Sequence, residues 1–106
     1  MAGLVHPERG EITLGGVLHA LSDPTRLAVV RQIGEDGECL CGSFAVDVAK
    51  STLSQHLRVL RDAGVTWTRC HGTQRWVSLR REDLDEVCPG LLDVVLSAAV
   101  QVGAPR

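Results

Sequence analysis

The sequence predicts a mainly α-helical domain with a single β-hairpin, and three observations support this prediction. Apolar residues recur at helical spacing over residues 14–60 and again after residue 82. Between these regions the period changes to two, over residues 65–70 and 74–79, which flank His71-Gly72-Thr73. The length of 106 residues accommodates one domain. We expect a flexible N-terminal arm over residues 1–11, a folded domain over 12–102 and a tail over 103–106.

An apolar stripe and a capping signal predict the first two helices. The stripe of the first helix consists of Leu14, Val17, Leu18 and Leu21. Asp23 is a good N-cap and Pro24 suits the first helical position, so a second helix is expected to begin there. Its predicted buried residues are Leu27, Val30 and Ile33, and the glycines of 34–37 should end it.

A short helix followed by a longer one is predicted before the hairpin. Residues 41–46 suffice for one or two helical turns, with Phe44 in the core, and 47–49 should form a turn. Ser51 or a neighbour is expected to cap the next helix, which ends at Gly64. Its inward residues are Leu53, Leu57 and Leu60. In the hairpin, Trp67 and Trp76 are expected to pack against the helices as core residues.

The last helical segment predicts a subunit interface. It resumes after Pro89-Gly90 and is apolar around much of its circumference over residues 91–100. Such a helix should not face water, and the small aliphatic core favours association with a partner. The interface residues predicted on this segment are Leu91, Leu92, Val95 and Leu96.

The charge distribution indicates contact with a polyanion. The net charge is −2, but residues 50–81 contain seven basic residues and one acid, Asp62. The rest of the chain contains four basic and twelve acidic residues. Solvated protein faces normally mix both signs, so a one-sided basic segment favours phosphate binding.

The order of the elements is that of a winged helix-turn-helix. Short polar groups at the start of the longer helix (Thr52, Ser54, Gln55 and His56) suit base edges in the major groove of double-stranded DNA. The hairpin suits a phosphate strand or the minor groove. The predicted DNA-binding residues are Lys50, Ser51, Thr52, Ser54, Gln55, His56, Arg58, Arg69, His71, Gln74 and Arg75.

Two segments resemble the ArsR/SmtB family of repressors. Residues 18–27 (LHALSDPTRL) resemble the entry signature of the family, and residues 51–65 (STLSQHLRVLRDAGV) resemble its recognition helix. The resemblance covers about residues 14–100. It implies a homodimeric winged-helix repressor that releases a palindromic operator when an effector arrives. It also implies that the first helix, with Leu14 and Leu18, joins the last helix in the dimer interface.

The resemblance also indicates where an effector would act. Cys39 and Cys41, after Glu38, are similar to the thiol motif that binds arsenite, cadmium or lead in some members. The third cysteine of the arsenite-type motif is replaced here by Phe44, and the N-terminal arm offers only His6 as a further ligand. No histidine follows His71, so the zinc or nickel site of the last helix is not expected.

Two effector chemistries therefore remain open at Cys39 and Cys41. One is capture of a soft ion such as arsenite or cadmium, and the other, slightly favoured, is oxidation of a low-pKa exposed thiol. Cys70 and Cys88 are either additional sensor thiols or packing residues. A repressor of the same fold without an effector is an alternative, and a thiol redox or metal-buffering protein is an alternative from another class.

Several classes of protein are not expected. A composition of 44% hydrophobic and 23% charged residues excludes a disordered chain. There is no 18-residue apolar run and no signal peptide, so we expect a cytoplasmic protein without a membrane anchor. There is no phosphate-binding glycine loop, nucleophile elbow or His-Glu-x-x-His motif, so an enzyme is not expected and no cofactor is required.

Overall fold

The computed structural model describes residues 4–103, with side chains described up to residue 99. Within this range the chain forms five α-helices and one three-stranded antiparallel sheet. The helices are α1 (Leu14–Ala20), α2 (Pro24–Asp36), α3 (Lys50–Asp62), α4 (Arg81–Val87) and α5 (Leu91–Gly103). The strands are β1 (Cys39–Leu40), β2 (Thr66–His71) and β3 (Gln74–Leu79). The mainly α-helical fold with a hairpin wing is confirmed, and the end of the expected tail (104–106) lies outside the described residues.

The helix α2 begins and ends at the residues that the sequence indicated. The Asp23 carboxylate accepts hydrogen bonds from the N–H groups of Thr25 (2.8 Å) and Arg26 (3.1 Å), so it caps the N-terminus. Gly37 follows the last turn with a φ of 89°, a conformation that favours glycine. The buried residues of α2 are Arg26, Val29, Val30 and Ile33, whereas Leu27 is half-buried.

The segment between α2 and α3 differs from the predicted short helix. Cys39 and Leu40 form β1, which pairs with Val77 and Trp76 of β3, and Cys41–Ser43 form a single 3₁₀ turn. The helical turns expected over 41–46 are thus reduced to this one turn, because the backbone becomes extended at Phe44 (φ −72°, ψ 130°). Phe44 is buried as expected. The N-cap residue of α3 is Ala49, so Ser51 lies in the first turn and does not cap the helix.

The helix α3 leads directly into the hairpin. Leu60 is fully buried, and Leu53 and Leu57 pack partly buried against the same core. Gly64 follows α3 with a φ of 81°, and its backbone is in close contact with the side chain of Ile12. In the hairpin, His71 pairs with Gln74, so Gly72 and Thr73 form a two-residue turn with positive φ at Gly72.

The sheet order β1-β3-β2 gives two different faces. Cys39, Val77 and Thr68 are neighbours across the strands and are buried on the helix side. Trp67 lies on the opposite, outer face and is 46% exposed. The expectation that Trp67 is a core residue was wrong, because alternation along β2 directs the side chains of Thr66 and Thr68 inward instead.

The N-terminal arm packs along the edge of β2. The His6 ring stacks on Trp67 at a centroid distance of 3.8 Å, and its Nε2 accepts a hydrogen bond from the Thr68 N–H at 3.0 Å. Burial, with the nearby charges of Arg61 and Arg80, lowers the pKa of His6. Because Nε2 is already used as an acceptor, the structure places His6 in a packing contact rather than as a free ligand.

The helices α1 and α5 surround a small apolar space. Val17 of α1 and Leu21, which follows the helix, face Leu91 and Leu92 there. Leu92 is only 3% exposed and belongs to the core of the single chain, so its assignment to the dimer interface is corrected. Leu14 (53%), Leu18 (47%) and Val94 (66%) are exposed, while the half-buried residues Val95 and Leu96 pack against the core.

Candidate nucleic-acid interface

The helix α3 presents a continuous polar stripe to solvent. Ser51, Ser54, Gln55 and Arg58 follow helical spacing and are all exposed. Lys50 and Thr52 are exposed at the N-terminal end of the same helix. Six of the seven residues predicted on this helix therefore lie where a ligand can reach them.

A groove of about 660 Å³ separates α3 from the hairpin. Gln55, Arg58 and Arg61 line it from α3, and Thr68 and Arg75 line it from the strands. Its apolar floor includes Phe44 and Leu53. Helix and hairpin can therefore contact one bound molecule together.

Among the predicted hairpin residues, only Arg75 lines this groove. Arg69 lies on the outer face, where its guanidinium is 5.8 Å from the centre of the Trp76 ring and binds both carboxylate oxygens of Glu38, the closer at 2.9 Å. This pair lowers the pKa of Glu38. His71 and Gln74 are exposed at the tip. Arg69 is thus held by an acid, whereas His71 and Gln74 stay accessible.

Ion pairs, two of them local and two between distant parts of the chain, neutralise much of the basic segment. The ion pairs are Arg58–Asp62 (3.6 Å), Arg69–Glu38 (2.9 Å), Arg80–Asp83 (2.9 Å) and Arg81–Asp93 (3.5 Å). Arg80 is also buried and donates to the Pro7 carbonyl oxygen at 2.7 Å, so its role is structural. Lys50, Arg61 and Arg75 form no salt bridge with an acid in the described part of the chain, and all three line the groove. The unpaired positive charge is therefore concentrated between α3 and the hairpin.

His56 differs from its neighbours on α3 because its ring points inward. Its side chain is 17% exposed, and Nδ1 lies 3.1 Å from a guanidinium nitrogen of Arg26. Nε2 lies 3.8 Å from the carboxylate of Asp23. The structure therefore places His56 between α3 and α2, away from the exposed stripe.

The two candidate sensor thiols have different surroundings. Cys39 is 4% exposed, and burial, followed by the charge of Asp36, raises its pKa. Cys41 is half-buried and lines the groove, and burial raises its pKa although Arg75 and Arg61 act in the opposite direction. Neither is the exposed low-pKa thiol that the sequence led us to expect. Cys70 is exposed, and Cys88 is buried beside Leu84 and Leu92.

The thiols do not form a complete soft-metal site. Within residues 4–103, no group of three or more His, Cys, Asp or Glu side chains could hold one metal ion. Thiolate sites for such ions need further ligands beyond two sulfurs. The residues present in one chain therefore do not fit a closed metal or metalloid centre.

Gln32 was not singled out from the sequence, yet it holds the segment that carries Cys41. Its Nε2 donates to the Ser43 carbonyl oxygen at 3.1 Å, and its Oε1 accepts from the Ala45 N–H at 3.0 Å. A half-buried glutamine on an amphipathic helix carries no sequence signal for this contact, because its partners are backbone groups.

Comparison with known proteins agrees with this geometry. A family model described as "Helix-turn-helix domain" matches residues 21–66. The chain is 37% identical over 82 residues to YceK of Bacillus subtilis (strain 168), an uncharacterised HTH-type transcriptional regulator, covering 74% of this chain and 82% of YceK. The crystal structure of an ArsR family transcriptional regulator superposes with a TM-score of 0.64 at 26% identity, covering 93% of this chain and 100% of the other.

The chain belongs to the ArsR/SmtB family of winged helix-turn-helix regulators. This ArsR-family protein is also 39% identical over 62 residues to the arsenical resistance operon repressor of Escherichia coli (strain K12), covering 57% of this chain and 51% of that repressor. It is a DNA-binding transcriptional regulator, and its relatives belong to a class without enzymatic activity, so it is not an enzyme. The β2–β3 hairpin is the wing of this fold.

Across residues 4–103, no helix combines the length and the apolar character needed to cross a bilayer.

Proposed function

We propose that this ArsR-family protein is a homodimeric repressor that binds a palindromic operator. The observation that carries the proposal is the groove between α3 and the wing, where Lys50, Arg61 and Arg75 provide unpaired positive charge beside Gln55. The exposed polar stripe of α3 suits base edges in the major groove, and the groove cations suit the adjacent phosphates.

Exposed apolar side chains on α1 and α5 support the homodimer. Leu14, Leu18 and Val94 are each about half exposed or more in the single chain, which is unfavourable for large aliphatic side chains grouped on two neighbouring helices. A second copy that covers them would form a twofold interface. A twofold dimer carries two recognition helices related by symmetry, and therefore suits a palindromic site.

Selection of DNA from a random-sequence duplex library tests this function. The full-length protein should enrich duplexes that contain two inverted half-sites separated by about one helical turn. Binding should also weaken steeply as salt concentration rises, because phosphate contacts release counterions. Enrichment of single, non-repeated sites would contradict the dimeric arrangement, and failure to enrich any sequence would contradict specific binding.

We further propose that an effector acts on the thiol motif through Cys41. Cys41 supports this role better than Cys39 because it lines the groove that DNA would occupy, whereas Cys39 is almost completely buried. With hydrogen peroxide as oxidant, Cys41 must first lose its proton, which its raised pKa disfavours. The thiolate then attacks one oxygen, the O–O bond breaks, and the products are the sulfenic acid and hydroxide. The added hydroxyl group would enter the groove that Phe44 and Arg75 also line.

Effector tests distinguish oxidation from metalloid capture. Peroxide should release operator DNA, reductant should restore binding, and Cys41→Ser should abolish the response. The matched control is Cys70→Ser, which changes an exposed thiol on the wing and should respond like wild type. Release by arsenite under reducing conditions would instead indicate a metalloid effector, as the name of the Escherichia coli relative suggests. If the double variant Cys39→Ser/Cys41→Ser keeps every response, the effector does not act through this motif.

A further inference from the structure

The side chain of Arg26 joins three helices at one point. Its Nε donates to the Ala20 carbonyl oxygen at 2.6 Å, and one terminal nitrogen donates to the His19 carbonyl oxygen at 3.2 Å, both at the end of α1. Its other terminal nitrogen lies 3.1 Å from Nδ1 of His56 on α3. Arg26 is 9% exposed, so these contacts are shielded from water.

The geometry determines the protonation state that His56 needs. A guanidinium group can only donate hydrogen bonds, so Nδ1 of His56 must accept one and carry no proton. The single proton of the neutral ring then lies on Nε2, which is 3.8 Å from the Asp23 carboxylate. Asp23 in turn accepts from the Arg26 and Thr25 N–H groups at the start of α2.

The contact lies directly behind the DNA-reading surface. His56 follows Gln55 in α3, about 100° further around the helix, so the His56 ring faces inward while the Gln55 side chain is exposed to solvent. Breaking the inward contact therefore lets α3 rotate or tilt, which displaces Gln55 and Ser54. Base readout needs side chains placed within a fraction of an ångström, while phosphate attraction tolerates such movement.

We propose that Arg26 and His56 are positioning residues for sequence-specific DNA recognition, joined by the hydrogen bond from the Arg26 guanidinium to Nδ1 of His56. This inference rests on the proposed operator binding. Without an acceptor at Nδ1, the terminal nitrogen of Arg26 that faces α3 loses its partner in a buried position. The α3 helix then loses its side-chain link to Arg26, and through Arg26 to the end of α1.

Two substitutions of His56 test the contact. His56→Ala removes the acceptor and should lower affinity for the selected operator by about tenfold, with a much smaller effect on an unrelated duplex of equal length. His56→Asn keeps a short side chain whose amide oxygen can accept from Arg26, so it should recover most of the affinity. His19→Ala is the matched control, because the His19 side chain is exposed on α1 and only its carbonyl group takes part.

The ratio of operator affinity to unrelated-duplex affinity separates positioning from general stability. This ratio should fall in His56→Ala, because the reading side chains of α3 are displaced, and should stay near the wild-type value in His56→Asn and in His19→Ala. Thermal unfolding identifies any variant that fails to fold. If His56→Ala is one, the ratio measured for His56→Asn remains decisive.

Two results would overturn the proposal. One is a His56→Ala protein that is folded and binds the operator with wild-type affinity. The other is a His56→Asn protein that is folded but has lost the preference for operator over unrelated DNA. If the wild-type protein itself binds no duplex selectively, the proposed operator function fails first. The wild-type selection alone reveals that outcome, so the two failures are distinguishable.

Discussion

At the scale of single residues, Gln55 and Arg75 line the same groove from opposite walls but should act differently. Gln55→Ala should weaken operator binding by about 1–3 kcal/mol and binding to unrelated DNA much less, because an amide reads base edges. Arg75→Ala should weaken both kinds of DNA alike and reduce the salt dependence by about one unit for each phosphate that is no longer neutralised. Fluorescence anisotropy over a salt series measures both quantities.

Arg69→Ala provides the matched control for Arg75. Both residues are arginines of the wing, but Arg69 lies on the outer face and is paired with Glu38. Its removal should change the salt dependence less than the removal of Arg75. If the two arginine variants behave alike, or if Gln55→Ala affects operator and unrelated DNA equally, the division between base readout and phosphate contact is incorrect.

His6 should make stability depend on pH. Its pKa is lowered in the folded protein by burial and by Arg61 and Arg80, so the unfolded chain binds the proton more readily. The stabilisation is therefore present above the unfolded value of about 6.5 and is lost as pH falls through it towards the lower folded value. Urea unfolding at about pH 7.5 and pH 5 should show a larger loss in wild type than in His6→Gln. Equal losses would contradict this assignment.

At the scale of secondary-structure elements, the junction of α3 and β2 depends on Gly64. A side chain there would meet two constraints, a φ of +81° and a Cβ position that overlaps Cγ1 of Ile12. Gly64→Ala should lower the free energy of unfolding by about 3 kcal/mol, from backbone strain and overpacking together. Urea unfolding at a fixed protein concentration measures the loss.

Gly72→Ala separates the two contributions. Gly72 at the wing turn also has positive φ, +61°, but a Cβ atom there would meet no atom within 4 Å. Its substitution should therefore show only the backbone cost, about 1–2 kcal/mol. If both alanine variants lose the same free energy of unfolding, the overlap of the new Cβ atom with Ile12 adds nothing to the cost of the substitution at Gly64.

The ends of the helices and the position of the hairpin were largely predictable, because the capping and turn residues that set them act locally. The Asp23-Pro24 cap, the glycine after α3 and the break at Pro89-Gly90 each act within a few residues. The strand β1 was not predictable in this way. It is only two residues long, and it exists because β3 offers a pairing partner more than 30 residues later.

At the scale of the whole molecule, substitutions can separate the proposed dimer interface from the core of the single chain. Leu18→Glu and Val94→Glu place charges on exposed apolar positions, so sedimentation at micromolar concentration should show folded monomers. Leu92→Glu should instead unfold the chain, since Leu92 is 3% exposed inside the core. Val5→Glu, at an exposed apolar position on the arm, is the control that should remain dimeric. A stable wild-type monomer would contradict the interface.

The spacing of apolar residues along the chain is sufficient to predict most of the helices and strands and the polar stripe of α3. Contiguous motifs are sufficient to indicate the family. Helices follow from apolar residues at i, i+3 and i+4 positions, and the wing follows from alternation. The spacing of Leu53, Leu57 and Leu60 leaves Ser54, Gln55, His56 and Arg58 outside the apolar stripe of α3. Three of these four residues are exposed, whereas the His56 ring faces inward. The resemblance of residues 18–27 and 51–65 to the family is likewise a property of contiguous sequence.

Tertiary packing instead decides which charged side chains are left without an ion-pair partner. It also decides which side chains face inward. Glu38 neutralises Arg69 from 31 residues away, and the guanidinium of Arg26 meets His56 from 30 residues away. Trp67 lies on the outer face because the sheet packs its other face on the helices. Pairings at such separations depend on how the elements pack in three dimensions, and no local pattern encodes that packing.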